Sequence, residues 1–486
     1  MRSTTKPTVA IIGAGFAGIG MAIRLKQAGY PVTVFEREAD LGGVWRDNTY
    51  PGAACDIPSH LYSFSFEPKP DWTRRYATQP EILDYLRHCV HKYGLGAHIR
   101  FGTGIATAEF DEQRGHWRLT TEGGETIEID ALVSACGQLR IPALPDLLGR
   151  DTFAGPAFHT ARWDHRQDLT GKRVGVIGTG ATAVQVVPAL VDSVHELRLF
   201  QRTPPYLVPR PDRAYPAWQR RLFARFPLLQ KLGRAKLFAQ HEARVLGFGY
   251  APRMLRVSEV LFRRRLRRQV PDPDRRAALT PDYRIGCKRV LVSSDFHPAM
   301  NRANLALVTD SVREIVPEGV RTDDGRVHEL DVLVYATGFR TQDFLTPMRV
   351  LGRGGRDLDE EWRDGARAHL GITVPGFPNF FLLYGPNTNL GHNSIIYMIE
   401  SQIAYVLDAL QRLHTRRLRY LDVRVPALRE FDEHVQRRLR NTVFSTGCDS
   451  WYIADNGRNA NNWPSSVLAY RRLTRSLDPA EYEHAR

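Results

Sequence analysis

Cysteine is scarce and scattered. The five in 486 residues (Cys55, Cys89, Cys136, Cys287 and Cys448) form no Cys-x-x-Cys. That spacing excludes a redox dithiol and a zinc knuckle, and it predicts reduced thiols in a cytoplasmic protein with no metal site. Long apolar runs are also missing, so no segment reads as a bilayer span. Residues Met1–Thr8 lack the apolar core of a signal peptide, and the apolar stretch after them is broken by Gly13, Gly15, Gly18 and Gly20. One region lacks acidic counterweight. Residues 213–276 hold 17 Lys and Arg against 4 acidic residues, nearly all of the chain's net charge of +14. The remainder is close to neutral, which argues against a nucleic-acid binder.

What is present is a pair of glycine-rich turns, each between a β-branched strand and a helical pattern. The first runs Thr8–Ile12, then Gly13-Ala-Gly15-Phe-Ala-Gly18, a helix through Met21 and Leu25, and a strand Val32–Glu36. Glycines in this order allow a tight turn, close approach of backbone to a pyrophosphate, and rest for that pyrophosphate on a helix N-terminus. Glu36 ends the second strand, where a carboxylate binds an unphosphorylated ribose diol, as in FAD. The second runs Lys172–Ile177 into Gly178-Thr-Gly180-Ala-Thr182-Ala183, then a helix that Pro188 shortens or kinks. Its second strand, Leu197–Phe200, ends in Gln201-Arg202-Thr203 with no acid. Arg202 is placed to bind the 2′-phosphate of NADPH, a solvated surface arginine being the plainer alternative. The apolar strands before Gly137 and before Gly338 resemble one another, so each nucleotide unit is expected to close with such a strand. The fold class is α/β, with two Rossmann-like dinucleotide-binding domains and a small helical insert. The boundaries fall at 1–145 with 365–486 for FAD, 146–212 with 283–364 for NADP, and 213–282 for the insert.

Other residues bear chemistry without a defining spacing. Asp56 stands among Ala53, Ala54, Cys55 and Ile57, where a carboxylate needs a cation or a shifted pKa. A turn aspartate before Pro58 is the plainer role. In Gly286-Cys-Lys288-Arg289-Val-Leu-Val two cations enter an apolar strand and need anions to meet; a basic strand edge is the alternative. Tyr50 reads as a core aromatic. The loop Pro386-Asn387-Thr-Asn-Leu-Gly391 offers backbone N–H groups at a helix start. The insert contains amphipathic helical pieces and the run Arg263–Arg268. The run reads as a solvated face and the helices as a lid or substrate wall; weak contact of the insert with an anionic membrane surface is the other reading.

Between the two turns lies Phe153-Ala-Gly155-Pro-Ala-Phe-His159-Thr-Ala-Arg-Trp163-Asp164. This connector, with Gly42-Gly43-x-Trp45-x(4)-Tyr50-Pro51-Gly52-x(3)-Asp56, resembles the two signatures of type I Baeyer–Villiger monooxygenases, within the wider flavin-containing monooxygenase group. The Ser450-Trp451-Tyr452 ending is most similar to the hydroxyacetophenone monooxygenase-like members. The resemblance implies FAD and NADPH as cofactors, and a ketone and O2 as substrates. It implies that a peroxide of the reduced flavin inserts oxygen beside the carbonyl, with oxidation at sulfur or nitrogen as the alternative. It implies that Gly13, Gly15, Gly18, Glu36, Gly43 and Trp45 bind FAD. It implies that Gly178, Gly180, Arg202, Lys288 and Trp451 hold NADP; Thr182 in the second turn, Asn387 in its loop and Asp56 are also expected to bind cofactor. Arg289 is the implied active-site arginine, tuned by Asp56. Phe153, Gly155, His159 and Trp163 are implied to couple the domains, with His159 no proton donor to substrate.

Overall fold

The computed structural model describes residues 5–445, 447–448, 450–454 and 456–485; the first four residues of the Met1–Thr8 stretch lie outside them. Two five-stranded parallel sheets organise the chain. In the first, the order is Phe380–Leu382, Ala131–Ser134, Val9–Ile12, Val32–Phe35 and Ile99–Arg100. In the second, it is Leu305–Val308, Glu196–Phe200, Arg173–Ile177, Val332–Tyr335 and Ala157–His159. The strands Val9–Ile12, Ala131–Ser134 and Val332–Tyr335 are buried along their whole length. That is why their sequences read as continuous apolar runs and do not alternate. The two similar strands before Gly137 and Gly338 occupy equivalent places, each beside the strand that feeds a glycine turn.

Both turns are held by backbone sterics. Gly13 and Gly178 have φ of +103° and +108°. A Cβ at either would lie 2.9 Å from the Ala135 carbonyl oxygen or 2.6 Å from that of Ala336. Only glycine meets both demands. Gly18 serves close packing. A Cβ there would stand 1.9 Å from the Gly13 oxygen, so its absence lets helix Phe16–Gln27 close onto the strand. In the second unit, helix Ala183–Leu190 stops two residues after Pro188.

A meander of Ile105–Asp111, His116–Thr121 and Thr126–Ile129 covers one face of the first sheet. Trp117 and Phe110 pack there with Phe380 and Leu382. Strand Arg349–Leu351 joins the meander beside Ile105–Asp111, and Phe344, Met348 and Leu358 share its apolar cluster. Residues 344–358 therefore pack with the first unit, and we propose a domain boundary close to Gly338 in place of 364.

The insert forms helices Ala217–Arg225, Pro227–Glu242, Leu255–Gln269 and Pro273–Ala278. Phe262 and Leu266 anchor the third in the second unit's core. Four members of the arginine run are exposed, while Arg265 is half-buried and donates to the Ser293 carbonyl at 3.1 Å.

The structure corrects two expectations. Cys287 and Cys448 are joined in a disulfide across 161 residues, so the thiols are not all free; chain folding brings together cysteines whose spacing carries no signal. The strand expected to contain Lys288 and Arg289 covers only Leu291–Val292, beside Leu207–Val208. Both cations stand in the loop before it, half-buried, which removes the cost of entering a strand.

Candidate active site

The carboxyl ends of the two sheets open on one cavity of about 1770 Å³. A site for one small ligand takes roughly 300–1,000 Å³, so this space suits more than one. Gly13, Gly15, Glu36, Gly43 and Trp45 line its first end; Gly178, Gly180, Thr182 and Arg202 line the other.

At the first end, Glu36 is buried at the tip of its strand. One carboxylate oxygen accepts the Ala14 N–H of the glycine turn at 2.8 Å, and the other meets Arg46 at 3.2 Å. Gly43, with φ +55°, faces Gly15 across the gap. Among the described residues, each of these two glycines has only the other's backbone within 4 Å of where a Cβ would stand. That leaves backbone bare at a helix N-terminus. Trp45 stands edge-on to Tyr62 and donates to its hydroxyl at 3.1 Å. Gln138, at the wall, is fully buried, and its Oε1 has no partner among the described residues. A buried acceptor in that state fits a bound donor. At the second end Gly180 has nothing among the described residues within 4 Å of where a Cβ would stand. Arg202 is exposed at the strand end, and Lys288 lies over the Tyr283 ring at 5.2 Å. These features fit two dinucleotides end to end.

Asp56 and Arg289 meet in the cavity, Oδ2 to guanidinium nitrogen at 2.5 Å. Their side chains are 25% and 36% accessible, an accessibility directed into the cavity they both line. Burial would push the Asp56 carboxyl up, but the adjacent guanidinium outweighs it and holds the group below its ordinary value. Asp56 in turn holds the Arg289 charge firmly against the penalty of burial. Arg289 is thus a fixed cation of set orientation. Tyr384 and Trp451 line the same space. The Tyr384 hydroxyl donates to Asn389 Oδ1 at 2.8 Å, and burial pushes its pKa up to about 12. The disulfide fastens the loop bearing Trp451 to the residue preceding Lys288.

The two units are stitched at this point. Gln185, on the helix of the second unit, accepts the Ala54 N–H at 3.2 Å and donates to the Ala54 carbonyl at 3.0 Å. Tyr50 donates to the same side chain at 3.1 Å. A Cβ on Gly52 would strike the Gln185 carbonyl at 2.7 Å. Tyr50 packs against the second unit's core, as read from the sequence, and is also a half-buried bridge lining the cavity.

Among the described residues of the connector, Arg162 alone lines the cavity. Its strand Ala157–His159 forms the edge of the second sheet. Gly155 closes on the Asp331 carbonyl, where a Cβ would approach to 2.4 Å. Trp163 packs edge-on to Phe158, and Phe153 joins a small cluster with Leu333 and Tyr335. Burial lowers His159 to about 4, and its Nδ1 accepts the Ala161 N–H at 3.1 Å. It is neutral at pH 7. The connector reaches the first unit through Arg162, which pairs with Asp47 at 3.4 Å, and through His165, 2.8 Å from the Thr49 hydroxyl. Asn387 is also absent from the lining. It has φ +57° and points its amide at the Asn459 and Asn462 carbonyls, 2.8 and 3.2 Å away. It pins the C-terminal segment.

Sequence reasoning missed Gln138, Gln185 and Tyr384. Gln138 and Tyr384 follow strand ends, where an α/β sheet meets its ligand, and that position was the available signal. Gln185 had none.

A model of the flavin-binding monooxygenase-like family matches residues 6–347. A Baeyer–Villiger monooxygenase of Pseudomonas aeruginosa is 47% identical over 477 residues, covering 98% of this chain and 90% of that protein. The structure is similar to cyclohexanone monooxygenase from Rhodococcus sp. bound to NADP+, with a TM-score of 0.89 and 30% identity over 99% of this chain and 100% of that one. It is similar to OTEMO in complex with FAD and NADP, with a TM-score of 0.88 and 27% identity over 99% and 100% of the two chains.

Proposed function

The chain belongs to the flavin-binding monooxygenase-like family, among its Baeyer–Villiger monooxygenases, and from this membership we propose which residues carry its reaction. The enzyme uses FAD and NADPH and inserts one oxygen atom of O2 beside a ketone carbonyl, giving an ester or lactone. When bound, NADPH supplies a hydride, and the flavin ring reduces dioxygen and delivers one of its atoms, the other leaving as water.

The first glycine turn, Glu36, Gly43 and Trp45 hold FAD; the second turn, Thr182, Arg202 and Lys288 hold NADPH, with the two cations at its 2′-phosphate. Arg289 holds the negative charge that develops at the attacked carbonyl oxygen. The observation that carries this is its pairing with Asp56 in the cavity joining both cradles. A cation already oriented and partly desolvated needs little reorganisation as charge builds. Asp56 stays ionised and fixes the guanidinium plane. Tyr384 keeps its proton on Oη, and Trp451 helps exclude water from above. His159 takes no part in proton transfer.

The test is a ketone panel with NADPH consumption followed beside mass detection of products gaining one oxygen. Arg289→Ala is expected to keep consuming NADPH while ester formation falls by about 10²–10³. Unchanged ester yield from that variant would remove Arg289 from the reaction.

A further inference from the structure

Helix Pro227–Glu242 is built inside out. Its buried residues are Gln230, Arg234, His241 and Glu242. Arg234 donates to the His60 carbonyl at 2.7 Å, Gln230 to the Lys69 carbonyl at 2.8 Å, and Glu242 accepts from Asn393 at 2.8 Å. Its outward face is apolar. Leu228 and Leu232 are 67% and 59% exposed, and Ala235 and Ala239 are exposed after them. The intervals of four, three and four place them in one stripe. Helical backbone continues at Ala243 and Val245, so the stripe runs on through Ala243 to Leu246. Those two residues are exposed and also line the active-site cavity, as does Met254 after them. An apolar track thus leads from the outer surface to the cavity mouth.

The surroundings say what covers this face. Lys231 and Lys236 flank the stripe, both exposed, and Arg221 and Arg225 are exposed on the preceding helix. Residues 213–258 contain one acidic residue, Glu242, and it faces inward. A second copy of so cationic a face would be repelled, and bare leucines offer a polynucleotide nothing. Exposed Leu with Trp218 and Phe226 nearby, rimmed by cations, matches the interface of an anionic bilayer. No helix among the described residues is long and apolar enough to cross a membrane, so the contact is with one leaflet.

We propose that the outer face of helix Pro227–Glu242 seats in the surface of an anionic lipid bilayer and that the cavity behind it draws lipid-soluble ketones from that membrane. The substrate half rests on the ketone-oxidising reading; the docking half does not. The FAD- and NADP-loaded enzyme is floated with phosphatidylcholine vesicles with and without phosphatidylglycerol, at low and high salt. It is expected to float with the anionic vesicles only, and less at high salt. The double variants Leu228→Ser/Leu232→Ser and Lys231→Glu/Lys236→Glu should each weaken this by about tenfold or more. KM for a long-chain ketone dissolved in anionic vesicles should rise by a similar factor in both, with KM for a short water-soluble ketone unchanged. Failure of the parent enzyme to bind anionic vesicles, or binding that neither variant weakens, overturns the proposal. So does a dimer that Leu228→Ser/Leu232→Ser dissociates while vesicles are ignored, which would make the face a self-interface. Vesicle binding is read without turnover, so it stands or falls apart from ketone oxidation.

Discussion

Removing the Arg289 guanidinium should make Asp56 a pH-dependent liability. With the ion pair at 2.5 Å, the two charge centres lie about 4 Å apart, worth about 4 kcal/mol at an effective dielectric of 20. Arg289 is 36% open to the cavity, so screening trims that to about 2–4 kcal/mol. In the parent enzyme the Asp56 carboxyl sits below 3.8 because the cation outweighs burial. Its stabilising contribution is therefore present above that value and lost only as pH falls through the folded pKa. In Arg289→Ala burial, the largest influence on Asp56, is opposed only by a backbone N–H and the Arg210 charge, and the carboxyl rises. The folded state then favours the protonated form, and stability falls as pH rises above 3.8. The difference between parent and variant should widen from pH about 4 to about 7. Asp56→Asn in the Arg289→Ala background should abolish that widening. The assay is urea unfolding at a series of pH values with FAD and NADP+ fixed, arranged as a double-mutant cycle. A coupling under about 0.5 kcal/mol at pH 7, or a difference independent of pH, would refute the view that Arg289 is the main group keeping Asp56 ionised.

Gly178→Ala places a Cβ 2.6 Å from the Ala336 oxygen at φ +108°; NADPH KM should rise by about tenfold or more, with the flavin-to-protein absorbance ratio unchanged. Arg202→Ala should cut the preference for NADPH over NADH in kcat/KM by about tenfold or more; an unchanged preference would take the 2′-phosphate away from Arg202. Burial lowers His60, His159, His241 and His297 each to about 4. A depressed histidine stabilises above its unfolded value and loses that as pH falls. Unfolding midpoints should therefore drop steeply from pH 6.5 towards 4, at up to about 1.4 kcal/mol per pH unit for each ring. Midpoints flat across that window would mean the rings are protonated without cost.

Both glycine turns and Glu36 were legible because their geometry is local: a short strand, a turn only glycine can make, and a helix start follow one another in the chain. Asp56 and Arg289 were legible as charges in apolar company, and the family signature brought them together. The disulfide was not, since 161 residues separate its ends and only folding sets that distance. The direction of the Asn387 side chain was not legible either: its loop looks like a ligand-facing turn, while its positive φ turns the amide towards residues 459–462. The helix Pro227–Glu242 shows a further limit. Periodicity reveals that a helix has two faces, but not which one meets the protein; here Arg234 and Glu242 found buried partners and the leucines did not.

The amide of Gln185 makes the two nucleotide units poor candidates for free exchange between relatives. Their sheets look like interchangeable cassettes, each complete with its glycine turn. Yet the Tyr50–Asp56 loop of one is clamped by a side chain of the other, and its last residue holds the arginine that the second unit contributes. A chimaera cut in the connector would inherit its clamp from one parent and the clamped loop from the other. Recombination in this fold would therefore preserve function only when position 185, the 50–56 loop and position 289 travel as one inheritance, although they belong to different halves of the chain.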